Sequence, residues 1–337
     1  MKKLLKIKTR LLGVLSVTAA ISILTSALVI SSKTNNKDVN NYKNYLHNNK
    51  DENIYLKNLA NTFFFNKDLG ETFKNDYFFN QNNISSDYLD ELNVSLTYSP
   101  FSVVNILDKA KEIKIKYARQ SIEILNNLLT NNWFWYLNNL DSMLFQFNPF
   151  DNKYKDNVND KGKADKTNVN QFKLLLKENK LFYKISSNNI KGFKFYDLPN
   201  LQEDIYTNKK IGFIQISNNS LIPFFAYKNK DENILQITPD LFVFDNNLSD
   251  KNITQMFDLF IKLRNERIEE DVKYFKKIKS NNYDETISYK KYNDVSLFQI
   301  FNTENYSELF FKEVFQFNKL NKNIKVKRYT WGFNENK

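Results

Sequence analysis

Carboxylates and lysines are the only groups in this chain numerous enough to support hydrolysis. The acidic side chains are densest at Asp240, Asp245 and Asp250 and in the run Glu266, Glu269, Glu270 and Asp271. Paired carboxylates suit a glycosidase, a Mg²⁺-dependent nuclease or a calcium site, and a serine beside a lysine suits a Ser–Lys hydrolase. With 38 acids in the chain, though, some pair always falls close together. The run at 266–271 is interleaved with Arg264, Arg267 and Lys273, which is the arrangement of a solvated helix face. No EF-hand spacing occurs.

Most other catalytic machinery is excluded by composition. The six glycines never lie within two residues of one another, so no Gly-x-Gly-x-x-Gly turn or P-loop can cradle a phosphate. There is no cysteine and a single histidine, His47. Zinc sites of the His/Cys type, HExxH proteases and Cys–His pairs are therefore absent, and a Ser–His–Asp triad would depend on His47 alone. The sequence predicts no catalytic residues, no metal ligands and no cofactor. The expectation is a protein that is not an enzyme.

The most unusual local feature is aromatic: residues 131–150 read NNWFWYLNNLDSMLFQFNPF and hold two of the three tryptophans. On a helical wheel Trp133, Tyr136, Leu137, Leu140, Met143, Leu144 and Phe147 share a face, Phe134 and Phe145 point elsewhere, and Trp135 lies nearly opposite. A helix apolar on several sides belongs in a core. The alternative is a recognition surface built from Trp133, Phe134, Trp135, Tyr136 and Phe145, with exposed rings anchoring a partner protein or a membrane.

The elements around this cluster follow from its flanks. Lys2, Lys3, Lys6, Lys8 and Arg10 precede an uncharged run from Leu11 to Ile30. Twenty helical residues span about 30 Å, the thickness of a bilayer core. Basic residues on one side predict a cytoplasmic N-terminus and an extracytoplasmic body. Residues 1–32 are thus a signal anchor or a signal peptide, since Thr25-Ser26-Ala27 offers the small residues a peptidase needs. The body is then membrane-anchored, or secreted if the segment is cleaved. Lipid attachment of the bacterial lipoprotein type needs a cysteine and is closed.

Residues 33–50 are polar and read as a tether. Residues 51–150 form a helical region. Leu56, Leu59, Ala60, Phe63 and Phe64 follow one-sided helical spacing, and a longer helix begins at Ser99-Pro100 and carries Val103, Ile106, Ala110, Ile113, Tyr117, Ile124 and Leu128. Pro149 closes this helical region. Residues 151–170 are almost free of large apolar side chains and form a loop or a linker between domains.

Residues 171–337 are a β-rich α+β region. Short runs at 181–185, 193–196, 211–217, 222–227, 234–238 and 241–244 alternate in polarity as an antiparallel sheet does. A long helix starts at Ser249 or Asp250 and runs to about 280, a strand is expected at 297–301, a helix at 306–317 and a last strand at 324–331. The fold class is α+β, with a membrane helix first, a helical first half and an antiparallel second half.

The formal charge is +11, but five cations precede the apolar run, leaving +6 on residues 11–337. A surplus so diffuse, without an arginine-rich block, predicts weak attraction to anionic surfaces and no specific nucleic acid. The expected partners are the lipid bilayer, through residues 11–30, and a host or cell-surface protein.

The basic leader, the helical first half and the Trp133-Phe-Trp-Tyr-Leu137 cluster followed by Phe147-Asn-Pro-Phe150 resemble the mycoplasma surface proteins named for an aromatic motif or aromatic cluster. That resemblance implies a cell-surface protein and brings no catalytic residues with it. A displayed interaction or adhesion module is the reading that follows. A ligand-binding component of a transport system and a membrane-tethered carboxylate-dependent hydrolase or nuclease are the alternatives.

Overall fold

The computed structural model describes residues 53–65, 69–97, 124–148, 166–198, 206–279, 283–288 and 306–334. Expectations for the leader, the tether, the helix from Ser99 to residue 123, Pro149, residues 151–165 and the strand at 297–301 lie outside those residues. Among the described residues no helix is long and apolar enough to cross a membrane.

The helical part begins with α1 (Ile54–Phe63), α2 (Glu71–Asn82) and α3 (Ser86–Thr97). Asn53 caps α1, its Oδ1 accepting from Tyr55 N at 2.9 Å. Residues 124–131 are helical, and α4 (Trp133–Asn138) follows after a break at Asn132. The chain then turns through a single 3₁₀ turn, Leu140–Ser142, into β1 (Met143–Phe147). The expectation of one helical face running from Trp133 to Phe147 is therefore corrected. Asn139 Nδ2 donates to the Trp135 carbonyl at 2.8 Å and Ser142 N donates to the Asn139 carbonyl. Such local bonds compete with helix continuation. Beyond them Met143, Phe145 and Phe147 are buried while Leu144 and Gln146 are half-buried, the two-residue period of a strand.

Beyond the polar stretch come α5 (Lys166–Lys177), β2 (Phe182–Tyr183), β3 (Ile190–Asp197), β4 (Tyr206–Ile216), β5 (Ser220–Asn229), β6 (Glu232–Ile237) and β7 (Asp240–Phe244). The remainder is α6 (Asp250–Lys279), α7 (Tyr306–Leu320) and β8 (Val326–Asn334). Residues 166–170, expected in the loop, form the first turns of α5.

The strands make one antiparallel sheet in the order β2-β1-β8-β7-β5-β4-β3, with β6 also on β5. β6 and β7 are two halves of one run opposite β5, because Phe224 pairs with Ile237 and Leu221 with Phe242. The two extra residues bulge at Thr238-Pro239, where Thr238 N and Oγ1 both donate to the Pro223 carbonyl. β1 and β2 stand on either side of residues 151–170 and pair with each other, so the sheet joins the two halves of the sequence. The body from Asn53 onward is one compact unit.

Helices cover both faces of this sheet. Phe224 and Phe225 are neighbours on β5 and so point to opposite sides. Phe63 of α1 meets Phe224 edge-on at 5.8 Å, whereas Phe260 of α6 meets Phe225 at 6.1 Å. α7 joins the α6 side, with Phe317 against Phe244 at 5.5 Å and Arg267 of α6 donating to Glu313 of α7 at 3.0 Å. This double cover explains why β7 is buried along its whole length and β5 along most of it.

One glycine is required by the packing. Gly212 on β4 lies between Phe195 on β3 and Phe224 on β5. A Cβ there would stand 2.0 Å from Phe224 Cζ. With no side chain at 212, the Phe224 ring crosses the strand, and Phe63 packs edge-on against both Phe195 (5.2 Å) and Phe224.

Candidate functional site

The aromatic cluster is assembled by α2 and α4 and then handed to the sheet. At the break before α4, Asn132 Nδ2 donates to the Gln81 carbonyl at 3.1 Å, and Gln81 Oε1 accepts from Phe134 N at 3.3 Å. A single α2 side chain thus satisfies an N–H at the start of a short helix that has no side-chain cap of its own. Trp133 Nε1 donates to Tyr77 Oη at 2.9 Å. Its ring stacks on Phe64 at 6.2 Å and meets Phe134 edge-on at 5.6 Å, and Phe134 leans on Phe78 at 4.6 Å.

On the sheet side Tyr136 packs against Trp331 of β8 at 5.1 Å, and Phe145 lies in register with Tyr183 and Trp331. Trp133, Tyr136 and Phe145 have no exposed surface and Phe134 is 1% exposed. These four rings therefore pack the core and turn no face outward. Trp135 differs: it is half-buried, packed against the core on one side and open on the other.

Burial governs the phenols nearby. It raises Tyr77 and drives Tyr136 well above the ordinary tyrosine value, with the charge of Asp240 adding to the effect at Tyr136. Tyr136 Oη is buried with no hydrogen-bond partner among the described residues.

Beside the rings lies a buried polar group within the sheet. Asp240 on β7 faces Thr330 on β8. Asp240 Oδ1 accepts from Arg328 Nε at 2.9 Å and from Thr330 Oγ1 at 2.8 Å. Asn148 Nδ2 donates to Thr330 Oγ1 at 2.9 Å, and Asn148 N to the Arg328 carbonyl at 2.9 Å. All four side chains are buried. A carboxylate held by a guanidinium and a hydroxyl is a structural ion pair.

The other acids singled out by the sequence are dispersed. Asp245 pairs with Lys327, Asp250 with Lys194 at 2.5 Å, and Glu266 with Lys262 at 3.8 Å. Asp271 accepts from Ser288 Oγ at 2.5 Å. Among the described residues no group of three or more His, Cys, Asp or Glu is placed to hold a metal ion. His47 and the basic flank Lys2, Lys3, Lys6, Lys8 and Arg10 lie outside the described residues.

Sequence reasoning did not single out Tyr77, Gln81, Arg328 or Thr330. Tyr77-Phe78-Phe79 carried a signal, three consecutive aromatics on a stretch otherwise rich in asparagine. The pairing of Arg328 with Asp240 carried none, since 88 residues separate them.

The aromatic cluster surface protein family matches residues 30–285. The chain belongs to that family. No curated protein and no solved structure matches it. The family match includes the whole of the 131–150 aromatic segment and starts at Ile30, where the uncharged run of the leader ends. A member of the aromatic cluster surface family is thus recognised by the part of the chain that follows the leader. In this member, four of the five cluster rings singled out above serve as core packing for a two-sided sheet.

Proposed function

We propose that this protein is a membrane-anchored extracytoplasmic surface protein whose body, residues 51–337, serves as an interaction or adhesion module. The observation that carries the reading is the junction at Ile30. Five cations and an uncharged run of twenty residues precede it, and the match to a surface protein family begins there. Such a layout suits a leader that places the chain and a body that meets the outside.

Two arrangements support an interaction role over catalysis. Four of the carboxylates that could have formed a hydrolytic site, Asp240, Asp245, Asp250 and Glu266, are engaged in separate ion pairs, with Asp240 locked inside the sheet. Buried aromatic rings fill much of the interior, giving a disulfide-free exported body a core able to hold it together. Trypsin treatment of intact cells tests the placement. Loss of peptides from 51–337 before lysis is the expected result; full protection of the body until lysis refutes it.

A further inference from the structure

α6 outruns the layer it belongs to. Its 30 residues extend roughly 45 Å at about 1.5 Å each. Its buried apolar positions, Ile253, Met256, Leu259, Phe260, Leu263 and Ile268, all fall in the first two thirds. From Glu269 to Lys279 no residue is buried. A helical stub of that length is marginal in water unless something braces it.

Residues 283–288 supply the brace along one side. Tyr283 stacks on Phe275 at 5.1 Å, Ser288 Oγ donates to Asp271 at 2.5 Å and lies 2.8 Å from Tyr283 Oη, and Lys276 pairs with Glu285. The Lys279 ammonium stands 5.4 Å from the Phe275 ring centre and 5.9 Å from that of Tyr283. Asp284 is turned into its own loop, accepting from Thr286 N at 2.9 Å and Oγ1 at 2.6 Å.

What the brace leaves open has a definite chemistry. Tyr274 and Ile278, one turn apart, are each 59% exposed. Directly beside them on the helix surface run Lys273 and Lys277, also one turn apart and exposed, with no partner among the described residues. After Asp271 the helix carries four lysines and no acid. The helix dipole favours cations at a C-terminus, but it gives no reason for an apolar ridge next to them.

We propose that the Lys273–Lys279 end of α6 is an interfacial contact that docks the body on an anionic bilayer surface. Tyr274 and Ile278 enter the headgroup region, and Lys273 and Lys277 meet the anionic groups. An apolar ridge with a tyrosine, flanked by cations of one sign, is the pattern of a helix lying in a membrane interface. Glu269 and Glu270, exposed one turn before Lys273 and Tyr274, bound the contact on that side and confine it to the acid-free last two turns. The proposal deepens the surface reading and rests on it, since a body held near a bilayer by its own leader has that bilayer within reach.

The test uses the compact unit beginning at Asn53, which keeps insertion of the leader out of the readout. The protein is sedimented with vesicles of phosphatidylcholine alone and of phosphatidylcholine mixed with phosphatidylglycerol. Binding is expected only to the anionic vesicles. The double variant Lys273→Glu/Lys277→Glu is expected to lose it, and Tyr274→Ser/Ile278→Ser to weaken partitioning at least tenfold. All four side chains are exposed, so unchanged thermal midpoints verify that the variants fold. Absence of binding to anionic vesicles overturns the proposal, as does binding that survives the lysine changes. Insensitivity to the Tyr274/Ile278 change overturns it too, because pure charge attraction would serve a nucleic acid or any polyanion equally well. Surface placement is read separately by trypsin treatment of cells, so the two ideas fail independently.

Discussion

Arg328 Nε lies 2.9 Å from Asp240 Oδ1 across the β7–β8 pairing, with 2% and 0% of the two side chains exposed. A pair buried to that degree is costly to break from one side. Arg328→Met takes the guanidinium away from a buried carboxylate and is expected to lose about 3–5 kcal/mol in urea unfolding. The double variant Arg328→Met/Asp240→Leu removes both charges and should recover most of that loss. Equal destabilisation in single and double variants would mean that the pair contributes through shape rather than charge.

Gly212 is held to glycine by the ring above it. A Cβ would lie 2.0 Å from Phe224 Cζ, so Gly212→Ala must displace a ring that Phe63 also contacts. Overpacking of this kind costs about 1–3 kcal/mol. Adding Phe224→Leu should restore part of the stability, a compensation that calorimetry of the three variants resolves.

Tyr136 offers the opposite case. Its hydroxyl is fully buried with no partner among the described residues, while its ring packs on Trp331 at 5.1 Å. Tyr136→Phe keeps the ring and removes the unsatisfied group, so stability should rise by about 1 kcal/mol. A fall on denaturant titration would reveal a bonding partner for that oxygen.

The four perturbed phenols fix the alkaline limit. Tyr88 and Tyr329 are pushed up to about 12, in each case first by burial and then by negative neighbours, and Tyr77 and Tyr136 also rise. Tyr88 Oη donates to the Ile124 carbonyl at 2.9 Å and Tyr329 Oη to the Lys180 carbonyl at 2.8 Å, bonds that need the neutral phenol. Above about pH 10 the unfolded chain releases protons that the folded chain retains. Stability is therefore full below pH 10 and declines from there towards 12. Urea midpoints measured across that range should fall, and Tyr88→Phe/Tyr329→Phe should flatten the slope.

Trp135 and Phe134 separate core from surface within the cluster. Phe134→Ala opens a cavity beside Phe78 and is expected to lose about 3–5 kcal/mol. Trp135→Ala removes a half-buried ring and should lose clearly less. A Trp135→Ala protein with an unchanged melting point but impaired attachment to its target surface would identify that ring as a contact residue.

The second half of the fold was legible in the sequence because its strands are separated by polar asparagine and lysine clusters. The runs at 222–227 and 241–244 fall within β5 and β7, the run at 211–217 lies in β4 up to Ile216, and the helix from Asp250 appears as α6. β1 was not legible as a strand, for Leu140, Met143, Leu144 and Phe147 fit helical spacing as well as Met143, Phe145 and Phe147 fit alternation. Asn139 and the pairing with β8 decide between them. α2 and α3 were missed because their buried faces are narrow; Phe78 and Gln81 are the buried residues of α2. Recognition of the aromatic segment was possible from composition alone. That four of its rings turn inward was not, since burial there depends on Tyr77, Gln81 and Trp331, which lie far away in sequence.

β8 sits between β1 and β7, although residues 326–334 follow every other described strand. Until that strand is in place, β2-β1 and β7-β5-β4-β3 are two incomplete half-sheets. Arg328 arrives with the same strand, so its ion pair with Asp240 forms only then. Closure of the sheet and formation of its buried ion pair are therefore a single event, set by the last described strand.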